Sequence, residues 1–131
     1  MNIVKTIRSF DSLLSLGPVS LSDIEHAEKA LSVTFTQEYK DYTSALGAVS
    51  FSGNEYTGAV QAAHLSVVRA TQSGRKITPS AKPDWYVVMD PHIDGIIFWQ
   101  SPEGIIYQTE PGKEPKKVAE SLELFMIDNH N

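Results

Sequence analysis

His92 stands between Asp90 and Asp94, an imidazole with a carboxylate two residues away on either side. Such a grouping suits a metal ion or an acid–base pair. The same run, Asp90 to Gly95, is also the composition of a tight polar turn, because Asp and Gly tolerate positive φ and Pro91 fixes its own. The turn is the preferred reading. His26 lies beside acidic residues on a predicted helix and reads as part of a solvated face, while His130 sits next to the chain end. No His-Glu-x-x-His, EF-hand, Walker or Gly-x-Gly-x-x-Gly pattern occurs. The chain has no cysteine, which removes disulfides, thiolate metal sites and a Cys nucleophile. Ser, His and Asp combinations can be picked from any chain of this size and carry no information. The expectation is no catalytic residue, no metal and no cofactor. A small hydrolase using His92 with Asp90 or Asp94 is a remote alternative.

Surface chemistry offers more. Glu55, Asp90, Asp94, Glu103 and Glu110 all fall in or beside predicted turns, where they either project onto one side as a negative rim or scatter over a solvated surface. Trp85, Trp99 and Tyr107 alternate along predicted strands and read first as core, with an exposed binding face as the alternative. Tyr39, Tyr42, Phe35 and Phe51 read as core.

The 131 residues fit one domain, 1–131, and a hydrophobic fraction of 41% is enough for one core. A formal net charge of −5 argues against sequence-independent nucleic-acid binding, which needs clustered Lys and Arg, and permits a basic protein partner. No apolar run approaches the roughly 20 residues that cross a bilayer. Met1 to Leu16 carries Lys5, Arg8 and Asp11 where a signal peptide would be uninterruptedly apolar, so a cytoplasmic location is expected. Nothing fixes the oligomeric state; a monomer is slightly favoured.

Ile3, Ile7, Phe10 and Leu14 follow a helical period, with Gly17-Pro18 as its stop. A second helix is predicted to open at Ser22 as part of a capping box with Glu25, its stripe being Ile24, Ala27 and Leu31. Thr36 caps a third, Gln37 to Leu46, which ends at Gly47 in a left-handed conformation. Val49 and Phe51 then precede a Gly53-Asn54 turn and a return strand, Glu55 to Thr57. Residues 59 to 73 remain open between a Ser66-capped helix and a strand, and 73 to 84 read as a loop. Three β-type runs, 85–89, 96–99 and 105–109, have connections too short for a parallel crossover and predict an antiparallel meander. Residues 110 to 117 read as another loop, and Ser121 caps a final short helix. The fold class is α+β, with N-terminal helices packed on an antiparallel meander.

This order, with Ser22, Ile24, Glu28, Leu31, Phe35, Tyr39, Tyr42, Leu46 and Gly47, then Phe51 and Gly58, resembles the SUKH superfamily. Downstream, Trp85, Gly95, Gly104, Tyr107 and the run Ser121 to Phe125 fit the same pattern, so the resemblance covers about residues 20 to 127. Thr36 and Thr43 depart from it, standing where many relatives carry Pro and an apolar residue. The resemblance implies a non-enzymatic protein-binding module. Its members include bacterial immunity proteins, which bind a cognate toxin of the nuclease or deaminase class, and fungal cell-wall assembly regulators, which imply an adaptor role. The expected partner is a basic toxin, met by Glu55, Tyr56, Asp90, Asp94 and Glu110, with neither nucleic acid nor membrane bound directly.

Overall fold

In a computed structural model, residues 2–130 are described. Helix α1 spans Ile3–Arg8, followed by a short strand β1, Leu14–Ser15. The predicted helical stripe therefore breaks before Leu14. Ser12 has φ 57°, which reverses the chain, and Leu14 pairs with Ser50 rather than continuing the helix. Phe10 keeps its inward role by packing on Phe51, ring centroids 4.6 Å apart.

Helix α2 spans Leu21–Leu31, and its stripe of Ile24, Ala27 and Leu31 is buried. Its cap is Ser20, two residues before the predicted one, with the Ser20 hydroxyl accepting from the Asp23 amide. Helix α3, Gln37–Leu46, is capped by Thr36 as expected. Gly47 ends it at φ 72°, but its ψ of −97° lies outside the left-handed helical region. Strands β2 (Val49–Phe51) and β3 (Asn54–Tyr56) form a hairpin whose turn is Ser52-Gly53, one residue earlier than predicted. Both turn residues have positive φ, as the tightest hairpins require.

The open segment resolves to a helix. After a single turn at Ala63–Leu65, Ser66 caps α4, Val67–Ile77, which runs into the stretch expected to be loop. The meander follows as β4 (Tyr86–Met89), β5 (Ile97–Gln100) and β6 (Ile106–Thr109), all antiparallel. A further strand, β7 (Lys116–Ala119), extends the sheet to order β4-β5-β6-β7, and helix α5, Leu122–Asp128, closes the described chain. The expected loop, 110–117, therefore overlaps the start of β7, where Lys116 and Lys117 carry no apolar alternation.

Strand periodicity places two cores on the two faces of this sheet. Tyr86, Val88, Phe98 and Ile106 face the layer of α1, α2, α3 and α5. Val87, Ile97 and Trp99 face the other way, with Trp85 beside them and Ala70 of α4 packed against them. Both tryptophans are thus core, and Tyr107, half-buried, stacks on Trp85 at 4.4 Å. Burial on both faces explains why every residue of β4 is apolar and buried.

Candidate interaction surface

The β4–β5 and β6–β7 connections emerge at the same end of the sheet, because the strands alternate in direction. In the first, Asp90 Oδ1 accepts the amide of His92 at 2.9 Å, and the Ile96 amide bonds back to the Ile93 carbonyl at 3.0 Å. His92, Asp94 and Gly95 all have positive φ. His, Asp and Gly are among the residues that adopt the left-handed region most readily, so the loop's own sequence specifies this turn. Its product is Ile93, held 58% exposed at the tip.

The second connection locks the first. A methyl group at Gly95 would stand 2.7 Å from Pro111 Cγ, so the two loops are in direct contact. Glu110 accepts from Gln108 Nε2 at 3.1 Å and pairs with Lys113 at 3.3 Å. Beyond Pro111, Ile77 at the end of α4 is 57% exposed and shares a cleft of about 340 Å3 with Glu110, Pro111 and Glu114. Ile77 thus adjoins Pro111, Glu110 and Glu114, and Ile93 lies in the β4–β5 connection that touches Pro111 through Gly95. Sequence reading missed both; the only signal for Ile93 was an isoleucine isolated among turn residues.

Asp90, Asp94 and Glu110 lie on this end of the sheet. Glu55 is exposed on β3, its carboxylate 3.3 Å from His64 Nε2. His64 lines a cavity of about 240 Å3 together with Arg69, Asp90 and His92, which connects Glu55 to the same region. Tyr56 is a correction. Its neighbour Glu55 points outward, so strand alternation turns Tyr56 inward, where it is 1% exposed and stacks on Phe51. Glu103 lies at the far end of β5, in the β5–β6 turn, so the five acidic turn residues do not share one side. The region also holds a positive charge, since Lys113 pairs with Glu110.

The His92 side chain makes no hydrogen bond among the described residues. Its Nδ1 lies 3.7 Å from Asp90 Oδ1, beyond hydrogen-bond reach. No three His, Asp or Glu side chains among the described residues come close enough to hold a metal ion. Burial pushes the phenols of Tyr39, Tyr42, Tyr56 and Tyr86 well above the usual range. No helix among the described residues is long and apolar enough to cross a membrane.

A helical layer, a small hairpin sheet, an antiparallel meander and a rigid loop end define a binding domain of the SUKH type. A family model described as SUKH_5, SMI1-KNR4 cell-wall, matches residues 1–129, and the chain belongs to that family. Its members are in general protein-binding immunity or regulatory modules. Comparison with curated proteins gives no match.

Proposed function

We propose that this protein is an immunity protein that acts in the cytoplasm and neutralises a basic toxin domain, of the nuclease or deaminase class, by occluding it. The observation that carries the reading is Ile93, an exposed apolar side chain fixed between two left-handed residues and bordered by carboxylates. Exposed apolar anchors inside a charged rim are what a specific protein interface uses for affinity and for steering respectively. Asp90, Asp94, Glu110 and Glu55 supply the negative potential, and the net charge of −5 favours a basic partner over an acidic one.

The family description, with its reference to the cell wall, favours a second reading: a regulatory adaptor that binds a housekeeping protein. Co-expression separates them. The product of the adjacent gene is induced in cells with and without this chain. Growth arrest relieved only when the chain is present supports immunity. An adjacent product that is harmless, together with capture of a constitutive cellular protein, favours the adaptor.

A further inference from the structure

Strand β1 is a free sheet edge. It pairs with β2 on one side, Leu14 with Ser50 and Ser15 with Val49, and no strand among the described residues lies on its other side. The Leu16 amide donates to the Ala48 carbonyl at 3.0 Å, so antiparallel alternation turns the amide and carbonyl of Ser15 away from β2. The Ser15 hydroxyl donates to the Leu46 carbonyl at the end of α3, at 2.8 Å. Leu14 and Leu16 therefore stand on the opposite face, 70% and 55% exposed. Sheet edges are commonly guarded by lysine or proline. The outer strand of the meander follows that rule, with Lys116 and Lys117 exposed on β7, whereas β1 presents leucines.

We propose that β1 pairs antiparallel with β1 of a second copy of this chain, about a two-fold axis at Ser15. Leu-Ser-Leu is its own complement in that register. Leu14 lies across from Leu16 of the second copy, and the two Ser15 residues exchange amide-to-carbonyl bonds. Ser12, at φ 57°, and Pro18 bound the pairing at residues 13–17.

Charge favours a second copy over a foreign strand. Residues 12–22 and 42–54 contain no Asp, Glu, Lys or Arg, so β1 and β2 are uncharged. The first charge across the sheet is Glu55 on β3, opposite Ser50. In the doubled sheet the two β3 strands stand five strand spacings, roughly 24 Å, apart, well beyond the Debye length of about 8 Å. Two chains of net charge −5 thus meet along this sheet without opposing like charges, while a basic partner finds no carboxylate on the edge to steer it. The far side of the hairpin sheet is taken, because the Thr57 amide bonds to the Val88 carbonyl of β4 at 2.9 Å. The pairing therefore uses the same edge on each copy and closes as a dimer. Its small area makes that dimer weak and concentration-dependent. The inference goes beyond the immunity reading and does not depend on it.

The test is sedimentation velocity of the full chain over a concentration series, joined to 15N NMR amide exchange. Average mass should rise with concentration from 14.5 kDa toward twice that value and stop there. The Ser15 amide should exchange more slowly as concentration rises, while the Ser50 amide, already paired with β1, stays constant. Leu14→Lys combined with Leu16→Lys should raise the midpoint concentration about tenfold or more; both side chains are exposed, so the fold is expected to be kept. Ile77→Lys, at an exposed isoleucine outside β1, should leave the midpoint unchanged. A single mass near 14.5 kDa up to millimolar concentration, the monomer slightly favoured from the sequence, overturns the proposal. So do assemblies that grow past two copies, or an Ile77→Lys midpoint that shifts as far as that of the double variant. Protection of the Ser15 amide only on adding the product of the adjacent gene assigns the edge to that protein and overturns self-pairing. A monomer would leave the immunity reading standing, and failure of toxin rescue would leave the dimer standing.

Discussion

The hydroxyl of Thr57 lies 2.8 Å from the phenol oxygen of Tyr39 and 2.8 Å from the carbonyl of Val87. With one proton, Thr57 donates to the carbonyl, so Tyr39 donates to Thr57. The Thr57 amide also bonds to the Val88 carbonyl at 2.9 Å, and the Thr57 carbonyl accepts from Tyr42 at 2.6 Å. One buried threonine thus ties α3 to β4 and joins the hairpin sheet to the meander. Thr57→Val keeps the shape and strands the Tyr39 hydroxyl. A loss of ~1–3 kcal/mol is expected, read as a lower urea midpoint with unchanged slope. A midpoint equal to that of the parent would show that the bond is not structural.

Gly58, the next residue, allows the two sheets to meet the end of α3. A methyl group there would stand 1.8 Å from the Gly47 carbonyl oxygen, a backbone atom that has no rotamer to escape into. Gly58→Ala is expected to cost ~3 kcal/mol or more, at the upper end of overpacking penalties. A thermal midpoint within a degree or two of the parent would contradict the close approach.

Much of this was legible in the sequence. Thr36 and Ser121 caps, the inward stripe of α2 and the antiparallel meander followed from spacing and turn residues. What was not legible depends on contacts distant in the chain. Leu14 matched a helical period but is taken by pairing with Ser50, and α4 outran its predicted end because Gly74 packs against Trp99 and Val87 rather than breaking the helix. The site was half visible. Acidic turns could be found, but which end of the sheet each occupies is set by strand direction, which separated Glu103 from the rest. The inward turn of Tyr56 follows from register alone.

Alkaline pH should unfold the protein cooperatively. Tyr39, Tyr42, Tyr56 and Tyr86 have folded pKa values raised by burial, so the folded state holds protons that the unfolded state releases. Their contribution is fully present below about pH 10, the unfolded phenol value, and falls above it by about 1.4 kcal/mol per pH unit for each tyrosine. Phenolate absorbance at these four residues should rise together with loss of the circular dichroism signal. Gradual ionisation near pH 10 with the dichroism intact would contradict their burial.

On the loop end, Ile93→Ala removes an exposed side chain and should leave stability within about 0.5 kcal/mol. Binding to the captured partner should weaken by on the order of tenfold, mainly through faster dissociation. Asp94→Lys should instead slow association and flatten its dependence on salt. Unchanged rate constants in both variants would move the interface elsewhere on the molecule.

The central claim is one specific protein partner, and titration calorimetry of the intact chain against the product of its adjacent gene tests it most directly. The account predicts one-to-one binding with a submicromolar dissociation constant, about −8 kcal/mol or tighter. The absence of heat and of co-purification with the products of both neighbouring genes would contradict the immunity reading.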